Sequence, residues 1–326
     1  MVDRALGYGF SLRRGQTQDG PGLRTSVFMK GCPLTCAWCH NPESLTARPE
    51  VWWLDYRCID CGKCDEVCPN GATLTGLQVG HQPDRDVCTG CGICVEACPA
   101  KAREQLRSEW SVKELVNEVM RDQAFFDGGG VTVSGGEPAI QPAFVAELLA
   151  ACKTEGLHTA LDTCGAVPWK AMDSILPHCD LILYDLKIMD PQVHKRWTGK
   201  DNRNVLNNLR RLATMNREKN QPALWVRTPL IPGATDNEAN ISAIGEFIRT
   251  ELGSAVERWE LCAFNNLCNE KYQRLGLTWE FADAPLLEVE HAKRLLAVAR
   301  AEVGTLAGRV ILKGGLMKPA HKSSVV

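Results

Sequence analysis

The order of apolar and polar residues along the chain predicts strands and helices in turn. Residues 181–187 (LILYDLK) form a short, strongly apolar run that is typical of a buried strand. Residues 111–114 (SVKE) match a capping box, which predicts the start of a helix that runs to residue 122. Further strands are predicted at residues 23–29, 131–134, 157–163, 224–231 and 259–264, and further helices at residues 142–154, 169–176, 205–215, 237–251 and 289–303.

Regular alternation of strands and helices indicates a parallel sheet whose strands are joined by helical crossovers. The pattern contains about six strand–helix units, which is fewer than the eight of a closed barrel. We therefore predict an α/β fold with a partial (β/α)6 TIM-like barrel. In such a fold, functional residues collect at the C-terminal ends of the strands.

One segment interrupts this alternation. Residues 51–105 are rich in Cys, Gly, Pro and Asp and show little periodicity, which predicts a small module held together by whatever its cysteines bind. We expect four parts in the chain: residues 1–50 start the core and carry a cysteine loop, residues 51–105 are an insert, residues 106–305 complete the core, and residues 306–326 are a basic, loosely held tail.

Composition narrows the possible chemistry. The net charge of −2 gives no general reason to expect binding to nucleic acid or to a membrane surface. The N-terminus lacks the pattern of a signal peptide, and no run approaches the ~20 apolar residues of a membrane span, so we expect a cytoplasmic protein. We also expect it to be a monomer. In that compartment the sixteen cysteines favour metal or redox chemistry over disulfides. Eleven of them lie in three groups between Cys32 and Cys98.

Two of these groups repeat one spacing, C-x2-C-x2-C-x3-C-P, at residues 58–69 and again at residues 88–99. This is the run of bacterial ferredoxins, in which the fourth cysteine of each run binds the cluster of the other run. The spacing predicts one iron–sulfur cluster at Cys58, Cys61, Cys64 and Cys98 and a second at Cys88, Cys91, Cys94 and Cys68. A pair of structural zinc sites is the alternative, although zinc does not require the final Cys-Pro.

The third group, Cys32-x3-Cys36-x2-Cys39, has three cysteines instead of four. A cubane cluster held by three thiolates leaves one iron free to bind another molecule, which is typical of a catalytic site. The alternative is a zinc site completed by His40.

Several motifs beyond this loop resemble the radical S-adenosylmethionine (SAM) superfamily, in which the open iron binds SAM. Gly-Gly-Glu at residues 135–137 follows the predicted strand 131–134 and resembles the glycine-glycine-glutamate motif of that family. Residues 162–165 (DTCG) and 185–187 (DLK) each end a predicted strand. Both, with residues 19–24 (DGPGLR), resemble the subfamily that activates glycyl radical enzymes. The double ferredoxin insert resembles the long branch of that subfamily.

The resemblance implies a role for each matching residue. Cys32, Cys36, Cys39 and Lys187 would be catalytic, with Lys187 contacting the SAM carboxylate and Trp38 the adenine. Asp162 and Asp185 would bind a monovalent cation beside SAM, or Asp185 forms an ordinary salt bridge with Lys187. Where short activases have a histidine near the ribose, this chain has Asn265. The full implied set of SAM-binding residues is Trp38, Cys39, His40, Gly135, Gly136, Glu137, Asp162, Asp185, Leu186, Lys187 and Asn265.

The function implied is the activation of a partner glycyl radical enzyme. Three [4Fe-4S] clusters and SAM would be the cofactors, and a flavodoxin or ferredoxin would supply electrons. A 5′-deoxyadenosyl radical made from SAM would remove a hydrogen from a backbone glycine in the C-terminal loop of the partner. Two alternatives stay open: a radical SAM enzyme acting on a small molecule or a peptide, and a ferredoxin-like electron carrier without catalysis.

Overall fold

The structure, a computed structural model, describes residues 6–73, 82–219 and 222–317. The strands are β1 (Leu6–Gln16), β2 (Arg24–Met29), β3 (Val51–Trp53), β4 (Arg103–Gln105), β5 (Ser108–Ser111), β6 (Gly130–Gly135), β7 (His158–Thr163), β8 (Leu181–Asp185), β9 (Ala223–Leu230), β10 (Val256–Ala263) and β11 (Val310–Lys313). The helices are α1 (Lys63–Val67), α2 (Ile93–Glu96), α3 (Val112–Met120), α4 (Pro142–Thr154), α5 (Trp169–Asp173), α6 (Pro191–Thr198), α7 (Arg203–Lys219), α8 (Glu238–Phe247), α9 (Asn269–Arg274) and α10 (Val289–Glu302).

The chain forms two compact units, of which the first comprises Met1–Pro33, Cys39–His158 and Leu267–Trp279. Four of its strands lie in the order β5-β1-β2-β6, with β1 antiparallel to both of its neighbours and β2 parallel to β6. Every residue of β2 is buried, so this strand is the centre of the unit and delivers the chain to Gly31 and Cys32.

The insert belongs to this first unit and is closed by its own two-stranded sheet. Strands β3 and β4 pair antiparallel, with Val51 opposite Gln105 and Trp53 opposite Arg103. Helices α1 and α2 each begin after a glycine with positive φ, Gly62 and Gly92, a conformation that glycine adopts at little cost.

The second unit comprises Leu34–Trp38, Thr159–Asn266 and Glu280–Val326. Its strands β7 to β11 pair in chain order, and the adjacent pairs with a described register are all parallel. Ala160, Leu181, Leu183 and Trp225 form a buried apolar cluster on one face of these strands. Helices α5 to α8 and α10 supply the crossovers that a parallel sheet requires.

The predicted α/β fold with parallel strands is confirmed, and the structure adds strands that periodicity did not reveal. Strand β1 carries Gly7 and Gly9 because a Cβ at either position would lie within 2.1 Å of the Phe144 or Trp110 ring, and these glycines hide the strand pattern. Residues 310–313, expected in a loose tail, form β11 beside β10, as their apolar Val-Ile-Leu run favours. Residues 318–326 of that expected tail lie outside the described residues.

Among the described residues, no helix is both long and apolar enough to span a bilayer. Within the same residues, none of the sixteen cysteines is joined in a disulfide.

Candidate functional site

In the first unit, the cysteine loop leaves β2 through a backbone turn at Gly31. Gly31 has φ +96°, and its amide donates to the carbonyl of Ser44 at 2.8 Å, so the loop folds back on itself. Cys32 and Cys39 are half-buried on this loop. Their sulfurs are therefore accessible to a cofactor without being fully open to solvent.

The Gly-Gly-Glu turn that follows β6 packs directly against the start of the same loop. The amide of Gly136 donates to Met29 O at 2.9 Å, and that of Glu137 donates to Gly31 O at 2.8 Å. A Cβ on Gly136 would lie 2.1 Å from Gly31 O, so this approach requires glycine. The Glu137 side chain is completely buried and caps a short turn by accepting from the Ala139 amide at 3.0 Å.

Helix α9 holds the C-terminal part of the cysteine loop, a role that the sequence did not predict. Tyr272 Oη donates to the carbonyl of Cys39 at 2.8 Å. Lys271 Nζ donates to His40 O and Asn41 Oδ1, both at 2.8 Å. It also forms an ion pair of 2.6 Å with the buried Glu43. Burial lowers the pKa of Lys271, and the carboxylate of Glu43 opposes that shift.

In the second unit, the middle of the cysteine loop is tied to α6. The amides of Thr35 and Ala37 donate to Thr198 O at 2.8 Å and Trp197 O at 3.0 Å. Cys36, between these two bonds, is half-buried and close enough to Lys187 for their charges to interact. Burial alone would lower the pKa of Lys187, but the paired Asp185 carboxylate raises it above its usual value, with help from Cys36. Lys187 is therefore a buried ammonium group whose charged form is favoured by Asp185.

The two aspartates predicted to bind a cation end neighbouring strands of the second unit. The strand register places Asp162 opposite Leu183 and Asp185 opposite Arg227. The side chains of both aspartates therefore lie on the face of the sheet that also carries the buried apolar cluster of the second unit. Asp162 forms an ion pair of 3.4 Å with Arg227, and Asp185 pairs with Lys187. Protein cations thus accompany both carboxylates.

The same face holds a charged group that sequence analysis missed. Glu260 on β10 is completely buried and lies within ion-pair distance of Arg227, Arg258 and Lys313, at 3.6, 3.5 and 2.9 Å. Its signal in the sequence is an acidic residue inside the otherwise apolar run of residues 259–264.

Trp38, the predicted adenine contact, is only 5% exposed and packs against Trp197 with ring centroids 6.2 Å apart. Trp38 is therefore packed as a buried aromatic of the loop. In the first unit, His40 packs its edge on Trp279 at 6.3 Å. Asn265 is half-buried just beyond the end of β10.

The insert contains two cavities, and each is lined by four cysteines. Cys58, Cys61, Cys64 and Cys98 line one of about 340 Å³. Cys68, Cys88, Cys91 and Cys94 line the other, of about 310 Å³. Four thiolates around each space fit the ligand set of a [4Fe-4S] cluster.

The fourth cysteine of each run has equivalent surroundings in the two halves of the insert. The amide of Ala72 donates to Cys68 Sγ and that of Ala102 to Cys98 Sγ, both at 3.2 Å. Burial would raise the pKa of Cys68, but the hydrogen bonds from the backbone around Ala72 outweigh it and lower the pKa. Such amide donors stabilise the thiolate that binds iron.

Within the described residues, no three Cys, His, Asp or Glu side chains surround a point where a single metal ion would sit. The cysteines of a cubane each bind a different iron, so they need not converge on one point.

Family models match most of this chain in three ranges. A model of the radical SAM superfamily matches residues 81–242. A model of a 4Fe-4S dicluster domain matches residues 57–102, which contain all eight cysteines of the two ferredoxin runs. A model of a 4Fe-4S single cluster domain matches residues 18–67.

Two relatives resemble the chain along almost its whole length. One is the (2S)-3-sulfopropanediol dehydratase activating enzyme of Klebsiella oxytoca, with 38% identity covering 89% of this chain and 92% of the relative. The other is the benzylsuccinate synthase activating enzyme of Thauera aromatica, with 34% identity covering 95% and 97%. Among solved structures, Streptococcus suis SuiB bound to precursor peptide SuiA has a TM-score of 0.51 at 11% identity. The alignment covers 87% of this chain and 46% of SuiB, and the two proteins are similar in fold alone.

Proposed function

This chain belongs to the radical SAM enzymes that activate glycyl radical enzymes, and from that premise we propose how its residues serve the reaction. The enzyme generates a SAM-derived radical for the activation of a partner glycyl radical enzyme. When bound, the iron–sulfur cofactor supplies the electron that cleaves SAM.

We propose that Cys32, Cys36 and Cys39 bind the catalytic cluster through their thiolates. Lys187 binds the SAM carboxylate, and the single observation that carries this assignment is its position, buried just beyond the end of β8 and paired with Asp185. A buried ammonium that stays charged is suited to hold a carboxylate next to the cluster ligands.

The remaining SAM contacts follow the motifs. Gly135 and Gly136 allow close approach of backbone, and the buried carboxylate of Glu137 accepts from the SAM amino group. Trp38 contacts the adenine and Asn265 a ribose hydroxyl, and His40 and Leu186 belong to the same set of SAM-binding residues. Asp162 and Asp185 bind a monovalent cation through their carboxylate oxygens once SAM draws Lys187 towards its own carboxylate.

We propose three [4Fe-4S] clusters per chain, because each insert cavity offers four cysteines in addition to the loop. A flavodoxin or ferredoxin donates the electrons. The chain acts as a monomer in the cytoplasm, where thiols stay reduced. The target is a glycine in the C-terminal loop of the partner.

The test is the anaerobic reaction of reconstituted, reduced protein with SAM and a candidate glycyl radical enzyme. We expect 5′-deoxyadenosine and a glycyl radical doublet in the electron paramagnetic resonance (EPR) spectrum. Roughly twelve irons per chain are expected for three cubanes. Formation of neither product would contradict the assigned activity, and about four irons per chain would contradict the two insert clusters.

Lys187→Met tests the carboxylate contact against Lys195→Met, a matched change at an exposed lysine of α6. We expect Lys187→Met to weaken SAM binding strongly and Lys195→Met to leave it unchanged. Equal binding by both variants would remove Lys187 from the site.

A further inference from the structure

Arg85 connects the second cysteine run of the insert to the segment before Cys32. It lies three residues before Cys88 and forms an ion pair with Glu50. The other oxygen of Glu50 accepts from Lys30 Nζ at 2.7 Å, and Lys30 is completely buried. Because Lys30 precedes Cys32 by two residues, one short chain of polar contacts joins Cys88 to the start of the catalytic loop.

Arg85 also reaches the other end of that loop through α9. Its Nη1 donates to Leu275 O at 3.4 Å, while Gln82 Nε2 donates to Gln273 O at 2.8 Å. The amide of Leu275 donates to Tyr272 O at 3.0 Å, and Tyr272 Oη donates to the Cys39 carbonyl at 2.8 Å. A second chain of hydrogen bonds therefore joins Arg85, three residues before Cys88, to the carbonyl of Cys39.

The backbone of the second cysteine run also packs closely against the segment that contains Glu50. A Cβ on Gly90 would lie 2.3 Å from the carbonyl oxygen of Pro49, the residue next to Glu50. A cavity of about 370 Å³ is lined by Cys88 together with Glu50, Arg85 and Leu275.

Among the described residues, the ion pair next to the first cysteine run stays within the insert. Arg57, next to Cys58, forms an ion pair of 3.3 Å with Glu104 inside the insert. Arg274 lies over the Trp52 ring at 5.3 Å, but the cavity of the first cluster is lined by Trp53. Neighbouring residues of a strand point to opposite faces, so the contact at Trp52 does not extend to that cavity.

We propose that the cluster held by Cys68, Cys88, Cys91 and Cys94 is the immediate electron donor to the cluster at Cys32, Cys36 and Cys39, with Arg85 as the positioning residue. This inference rests on the three-cluster proposal above. One electron would pass per SAM cleaved: the cluster that Cys68, Cys88, Cys91 and Cys94 would hold would be oxidised, and the cluster that Cys32, Cys36 and Cys39 would hold would be reduced. The cluster held by Cys58, Cys61, Cys64 and Cys98 would replace that electron with one from an external flavodoxin or ferredoxin.

Cluster order can be measured without activity, from the EPR relaxation of the reduced catalytic cluster, whose signal is identified by its change on SAM binding. A neighbouring paramagnetic cluster speeds this relaxation, and the effect weakens steeply with distance. Two matched double variants remove one cluster each: Cys88→Ala with Cys91→Ala, and Cys58→Ala with Cys61→Ala. We expect the first pair to lower the half-saturation power several-fold and the second to leave it close to that of the unaltered chain. The reverse result would overturn the order.

Arg85→Gln keeps all cysteines, so it tests the proposal even if a double variant fails to fold. Its control is Arg57→Gln, which alters an arginine beside the first run. We expect Arg85→Gln to lower the half-saturation power and to slow reduction of the catalytic cluster by reduced flavodoxin several-fold, with Arg57→Gln unchanged. Identical behaviour of both variants would overturn the role of Arg85. The comparison is made on protein with roughly twelve irons per chain, so a failure of the three-cluster proposal is recognised separately.

Discussion

The insert and the parallel sheet of the second unit obtain their structure from different sources. In the sheet, Leu181 to Tyr184 of β8 are at most 1% exposed, so apolar burial stabilises this region. In the insert, α1 buries none of its residues, and α2 buries only Cys94. A region with so little apolar burial depends on what its cysteines bind. One chain thus combines a core that folds through packing with a module that folds through ligation.

Removing iron with a chelator should separate the two regions most clearly. We expect backbone amides of residues 55–71 and 84–99 to lose nearly all protection from hydrogen exchange, because the insert would lose its ligation. Amides of β8 and β9 should keep theirs, since no cluster ligand lies on these strands. Exchange measured by mass spectrometry before and after chelation, with reconstituted protein as control, checks this. Unchanged protection in the insert would mean that packing alone holds it.

Leu183→Ala should produce the next largest effect, this time in the sheet. Leu183 is completely buried in the cluster with Trp225, so truncation should cost roughly 2–5 kcal/mol in free energy of unfolding. The control is Leu267→Ala, at a side chain that is 86% exposed, which should change stability by less than about 0.5 kcal/mol. Urea denaturation measures both. A similar cost for the two would contradict the assignment of the core.

The pH dependence of stability should show that Cys152 is a buried core cysteine and not a metal ligand. Burial raises the pKa of Cys152 to about 12. The thiol ionises near 8.5 in the unfolded chain, so above that pH the unfolded state binds fewer protons and folding stability falls. Between pH 8.5 and 10 we expect a loss of about 2 kcal/mol that Cys152→Ala does not show. Urea unfolding of the iron-free unaltered chain and of iron-free Cys152→Ala at the two pH values measures this loss. An equal loss of unfolding free energy in both proteins would contradict the raised pKa of Cys152.

Ser111→Ala should have the smallest effect, at the point where the chain returns from the insert to the core. Ser111 and Glu114 form both bonds of a capping box at the start of α3. Losing the cap should cost about 1 kcal/mol in free energy of unfolding. Ser174→Ala, at an exposed hydroxyl beyond α5, is the control and should be close to neutral. Thermal unfolding of the two variants provides the comparison.

Local sequence patterns predicted much of this molecule. The apolar run of β8 identified a buried strand because a continuous apolar run is typical of a strand that is covered on both faces. The capping box at Ser111 is present as predicted, because both of its partners lie within one turn. The family and its ferredoxin-type domain also follow from spacing, since cluster ligands must lie at fixed intervals along the chain.

Interactions between distant residues could not be predicted in this way. Tyr272 and Cys39 are separated by more than two hundred residues, and neither has a local pattern that indicates the other. The antiparallel pairing of β1 with β5 depends on glycines that accommodate aromatic rings from elsewhere. Two partners of Glu260, Arg227 on β9 and Lys313 on β11, lie on other strands, and only the fold brings them to it.

The two-stranded sheet of β3 and β4 has a consequence for how this protein can change over evolutionary time. Leu54 N donates to Ala102 O and Leu106 N to Glu50 O, both at 2.8 Å, so the two ends of the insert are bonded together at its base. A segment whose ends already meet can lengthen, shorten or be exchanged at little entropic cost to the rest of the chain. The base of the insert is therefore a position at which the insert, with its proposed electron-transfer clusters, could be gained or lost during evolution while the radical SAM core is kept.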